Sequence, residues 1–178
     1  MLTRDELKKK IGDMGEDAVR EAFEALGSKV SMSEDYYDSV KDMAVTNDYG
    51  SNFVEVKTEL PKAWFRHPHY DGFTEMFTIG VNQKTKCSEV DILMFVQIPY
   101  HQDECIKLYT APHKDKRKFV KTNNTNGTNT IGIPIRECRL FATINDKDKA
   151  NKLRDLSIQI NGDSKFYNAP PHVYPAEV

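Results

Sequence analysis

Apolar residues in the opening stretch recur at helical spacing, with Leu7, Ile11, Met14, Ala18, Ala22 and Leu26 on one stripe. Thr3-Arg4-Asp5-Glu6 ahead of them has the form of a capping box, and Gly27 supplies a stop. The pattern predicts one long helix, with Gly12 and Gly15 as the points where it would be interrupted. The period then changes. Lys29–Met32, the run opened by Asp42 in Val40–Val45, and Phe53–Thr58 read as short strands, the last dense in β-branched and aromatic residues. Asn47-Asp48-Tyr49-Gly50-Ser51 supplies turn chemistry between the second and third, so these two form a hairpin.

Further along, Phe73–Val81 fits two patterns: Phe73, Met76, Phe77 and Gly80 suit a helix, whereas Phe77, Ile79 and Val81 suit a strand. Ile92–Val96 reads as a buried strand, and Ile106–Thr110, Thr130–Ile135 and Arg139–Ile144 as later ones. Lys147–Leu156 is a short charged helix. Pro61–Gly72, Asn82–Lys86 and the Asn/Thr/Gly-rich Thr122–Thr130 read as loops, and Ala169–Val178, with three prolines, as a tail. The expected fold is α/β, with a mixed central β-sheet flanked by helices in one domain over residues 1–168.

Composition narrows the function classes. A chain of 178 residues can bury a sizeable core as one domain. Hydrophobic content of 39% with 29% charged residues is that of an ordinary soluble protein. The longest apolar stretch, Val90–Pro99, contains Asp91 and Gln97 and is too short to span a bilayer, so no membrane partner is expected. Arg4, Asp5 and Glu6 near the N-terminus leave no apolar core for a signal peptide. Cys87, Cys105 and Cys138 are widely spaced and odd in number, as reduced cytoplasmic thiols would be. A net charge of −2 requires that any nucleic-acid surface be a local basic patch.

The chemistry centres on Asn52–Glu59. Alternation along a strand puts Glu55 and Lys57 on one face and Val54 and Val56 on the other. A charged pair with apolar neighbours on both sides needs a partner or a task. The hairpin brings Asp42 back toward Glu55, and two carboxylates so joined form an oxygen-rich site suited to Mg²⁺. A lysine beside them can help lower the pKa of an attacking water or hold a phosphate. Glu6-Leu7-Lys8 and Asp163-Ser164-Lys165 have the same acid-x-Lys spacing, but neither lies in a β-run preceded by an acid-bearing β-run. Asp35 and Asp38 rival Asp42, which alone opens an apolar run.

Asp42, the turn and the strand carrying Glu55-Val56-Lys57 resemble the PD-(D/E)xK nuclease superfamily over roughly residues 12–96, with Lys41 standing where the superfamily's name has proline. The resemblance implies a restriction-endonuclease-like fold and Mg²⁺-dependent hydrolysis of DNA phosphodiester bonds, Mn²⁺ substituting. Asp42, Glu55 and the Val56 carbonyl would hold the metal, and Lys57 would orient or activate water. Gly15-Glu16 is similar to a Gly-Glu found in the first helix of many superfamily members, which gives Glu16 a place at the metal or its waters. Gln83, Lys84 and Lys86 occupy the element that often faces the scissile phosphate; a solvated polar loop is the other reading.

The basic run from Lys114 to Lys121, with Lys116, Arg117 and Lys118 at its centre, is either a solvated face or a set of phosphate contacts. His67-Pro68-His69 lacks a third ligand at a familiar spacing and reads as loop, with Trp64 and Arg66 as possible DNA contacts. The size is similar to that of a restriction enzyme, a junction resolvase or a phage-encoded nuclease, and such proteins are frequently homodimers. The alternative is a nucleic-acid-binding or regulatory module that keeps the fold without the chemistry.

Overall fold

A computed structural model describes residues 1–34, 41–66, 69–70, 73–121 and 130–162. The first helix, α1 (Arg4–Ala25), runs unbroken. Its capping box closes as the sequence predicts: the Thr3 hydroxyl accepts from the Glu6 N–H at 3.1 Å, and the Glu6 carboxylate accepts from the Thr3 N–H at 3.0 Å. Gly27, at φ +87°, ends it in a conformation that side chains with a Cβ rarely adopt.

The central sheet has six strands in the order β1 (Lys29–Met32), β2 (Met43–Asn47), β3 (Gly50–Glu59), β6 (Ile92–Gln97), β7 (Ile106–Thr110) and β10 (Arg139–Ile144). All neighbours are antiparallel except β3 and β6, which run parallel with Glu55 opposite Leu93 and Lys57 opposite Phe95. The fold is therefore α/β with a mixed central sheet, as the hydrophobic pattern implies. One face is covered by α1 and by α3 (Lys147–Asn161), whose Leu153 and Leu156 join Ile11, Val19, Val54, Val56, Met94 and Leu108 in a single core.

The other face is covered differently from the sequence expectation. A second sheet lies there, ordered β4 (Lys62–Arg66), β5 (Phe73–Gly80), β9 (Thr130–Pro134) and β8 (Val120–Lys121). Phe77 of β5 stacks on Phe95 of β6 with centroids 4.4 Å apart, and Ile79, Leu93, Ile131 and Ile133 fill in around them. The ambiguous Phe73–Val81 pattern thus resolves as strand, because its Phe77 and Ile79 face a partner sheet. Lys62–Arg66, expected as loop, pairs with β5 as an edge strand. Residues 82–86, also expected as loop, enter a 3₁₀ turn at Val81–Gln83 and then α2 (Lys84–Glu89). Asp35, Asp38, His67, Pro68, the 122–129 loop and the 169–178 tail lie outside the described residues. Among the described residues, no helix is long and apolar enough to cross a membrane.

Glu75 sits buried on β5, where the Tyr100 hydroxyl lies 3.0 Å from its Oε1 and 2.6 Å from the Pro61 carbonyl. Burial pushes the Glu75 carboxyl from 4.5 up to about 7, against the opposing pull of the Tyr100 hydrogen bond and Lys107. A carboxyl raised on folding contributes stability that is full below its unfolded value and is lost as pH rises through about 7. Thermal melts across that window will fall less steeply for Glu75→Gln than for the wild type; parallel curves would remove Glu75 from the pH dependence.

Candidate functional site

The site forms where β2 stops short of β3. The ladder runs from Asn47–Gly50 to Met43–Val54, and Asp42 then continues it with both main chain and side chain. Its N–H donates to the Val54 carbonyl at 2.9 Å, and its Oδ2 accepts from the Val56 N–H at 2.7 Å. A residue's N–H and C=O leave a strand on the same edge, so the Val56 carbonyl points to the side on which Asp42 lies. Asp42 is half-buried, and Glu55 between these two valines is only 2% exposed.

Glu16 reaches the same place from α1. Gly15 beside it packs directly on β3: a Cβ there would stand 1.7 Å from Thr58 Oγ1 and 2.9 Å from Thr58 Cβ. The missing side chain lets the helix approach closely enough for the Glu16 carboxyl to hydrogen-bond Asp42. Burial first, then the charge and hydrogen bond of Asp42, and then Asp13 and Glu55, push Glu16 up to about 7. Burial also raises Glu55, with Asp42 adding to it and the two neighbouring lysines opposing it.

Those lysines come from two elements. Lys57 Nζ lies 2.9 Å from Glu55 Oε1 and donates to Gln83 Oε1 at 3.1 Å. Lys86 Nζ lies 2.8 Å from Glu55 Oε2. Burial is the largest single influence and would lower the Lys57 ammonium, but the charge and hydrogen bond of Glu55 together with Cys87 and Asp42 make the net shift upward. Cys87, buried beneath the cluster, is pushed up to about 11 by desolvation, so it is an inert thiol and not a nucleophile.

The structure therefore gathers Glu16, Asp42, Glu55, Val56, Lys57, Gln83 and Lys86. Lys84 does not join them and remains on the exposed side of α2. The short helix that brings Gln83, Lys86 and Cys87 together stands where the sequence reads as loop; their i, i+3, i+4 spacing was the signal available. Gly15 and Thr58 were missed as a pair. Alternation puts Thr58 on the Val54 and Val56 face, toward α1, which was the available signal.

The basic run divides. Lys116 and Lys118 are exposed, but Arg117 is buried and its guanidinium donates to the carbonyls of Pro112 (3.0 Å), Cys87 (2.6 Å) and Val90 (3.0 Å). Arg117 is thus no phosphate ligand. It ties the end of α2 to the 112–117 loop, because a buried guanidinium needs several acceptors at once. Arg117→Ala strands those carbonyls and will cost about 2 kcal/mol in denaturant unfolding. Lys116→Ala with Lys118→Ala will change stability by less than ~0.5 kcal/mol. Equal losses in the two variants would overturn this division.

Among the described residues, no three His, Cys, Asp or Glu side chains converge into a group able to hold a metal ion by themselves. Mg²⁺ does not require one. It keeps several waters and is commonly bound by one or two carboxylates plus substrate phosphates. The oxygen donors such an ion would use are Glu55, whose Oε2 now faces the Lys86 ammonium, and the two further carboxylates of Asp42 and Glu16 close by. No family model, no curated protein and no solved structure matches the chain.

Proposed function

We propose that the protein is a Mg²⁺-dependent deoxyribonuclease of the PD-(D/E)xK type, hydrolysing DNA phosphodiester bonds. The reading rests above all on one observation: Asp42 and Glu55 are brought together at the end of a hairpin, with Lys57 against Glu55. Asp42, Glu55 and the Val56 carbonyl would hold the ion, which would supply Lewis-acid polarisation of a phosphate and a more acidic bound water. Glu16 sits at the edge of that set.

Lys57 has a defined part in this chemistry. Its upward-shifted ammonium keeps its proton at neutral pH, so it is not a general base. It acts as a fixed positive charge that orients a water and offsets negative charge developing at the phosphate. Gln83 Oε1 accepts from the same ammonium and helps to hold it. Exposed Lys116 and Lys118 offer phosphate contacts away from this cluster.

A nucleic-acid-binding module without catalysis is the second reading. It is favoured by the two lysines that already neutralise Glu55. Incubating the protein with single-stranded, duplex and branched DNA, with Mg²⁺ or Mn²⁺ and with chelator, separates the two. Products that appear only with the ion are expected. Retarded migration without products in either ion would leave the binding module standing.

A further inference from the structure

Glu55 is more deeply buried than any other charged side chain described. A carboxylate in such a position must be neutralised, and here each oxygen meets its own lysine. The two contacts are not equivalent. Lys57 is fixed on a strand and is also held by Gln83 at 3.1 Å. Lys86 comes from α2, a six-residue helix whose N-terminus has no side-chain cap. Its ammonium lies 2.8 Å from the buried Oε2, the oxygen that Lys57 does not reach. The ammonium neutralises that oxygen, and an ion bound to Oε2 would need the same place. A divalent cation would carry the compensating charge on the same oxygen and so would compete with the ammonium for it.

We infer that Lys86 is an exchangeable counter-ion for Glu55, holding the buried carboxylate in the metal-free protein and giving up Oε2 when a divalent cation binds. Metal binding and the Lys86–Glu55 contact then exclude one another, whereas Lys57 stays on Oε1 throughout. The inference rests on the metal-nuclease reading above and adds to it a residue that sets the ion's affinity.

Two measurements test it, and the first needs no variant. Amine labelling of the wild-type protein, read by peptide mass spectrometry, follows Lys86 and Lys57 through a Mg²⁺ titration. Labelling of Lys86 will rise to saturation with the ion while that of Lys57 stays low. Calorimetry will show Mg²⁺ binding ~10-fold or more tightly to Lys86→Met than to the wild type, because a charge-assisted competitor has been removed. Lys86 labelling that stays flat at saturating Mg²⁺ overturns the inference, as does unchanged or weaker binding by a folded Lys86→Met. If the variant does not fold, the wild-type titration decides alone. DNA cleavage measured alongside separates the two claims. Ion binding with the expected Lys86 response but no cleavage removes the nuclease reading and leaves the counter-ion in place. Cleavage with an unresponsive Lys86 removes the counter-ion alone, and no ion binding to either protein removes both.

Discussion

Replacing Lys57 with alanine will lower single-turnover DNA cleavage by ~10²–10³-fold, the range for removing one preorganised group that stabilises developing charge. The melting temperature will hardly change. Removing one member of a buried ion pair is costly, by about 3–5 kcal/mol, when it strands the other charge. Here Glu55 keeps Lys86 at 2.8 Å, so the carboxylate remains neutralised after the substitution. Loss of the ammonium's own desolvation further offsets the lost attraction. DNA binding with Ca²⁺ in place of Mg²⁺ will largely persist. Full activity in the variant would take Lys57 out of the mechanism, and a variant that melts well below the wild type would make the residue structural.

Gly15→Ala will destabilise the protein at the upper end of the ~1–3 kcal/mol usual for overpacking, or beyond it. The new methyl group would stand 1.7 Å from Thr58 Oγ1, but rotating that side chain does not clear the position, because Thr58 Cβ is also only 2.9 Å away. The helix must therefore lift from β3, taking Glu16 with it. A double-mutant cycle with Thr58→Gly measures the contact directly, and a favourable coupling above ~0.5 kcal/mol is expected. Gly12, on the same helix, has open space where a Cβ would go, so Gly12→Ala is the control. If the two alanine variants melt together, the close approach at Gly15 carries no energetic weight.

The parts of the fold legible in the sequence are those set by local pattern. The capping box, the helix stop and the strand at Lys29–Met32 follow from spacing and turn chemistry within a few residues. The hairpin that puts Asp42 against the Val56 N–H was readable from the turn between two apolar runs, and Glu55 with Lys57 from alternation. What depended on distant partners was not legible. Arg117 looks like its basic neighbours until the carbonyls of Cys87 and Val90 are seen to converge on it. Lys62–Arg66 has strand form only because β5 lies beside it. The second sheet as a layer was invisible for the same reason, since the rings of Phe77 and Phe95 meet from separate sheets.

The single parallel pairing in the central sheet sets an order of events in folding. Antiparallel β2 and β3 are joined by a tight turn at Asn47–Gly50, and such hairpins close in ~1–10 μs. That step alone carries Asp42 to Glu55. Strand β6 can join β3 only after residues 60–91 have looped out through the second sheet and α2, a non-local closure of the kind that slows folding. Gln83 and Lys86 travel on that crossover. Asp42 and Glu55 thus meet before Lys86 arrives, with Lys57 the cation that their own hairpin brings to them.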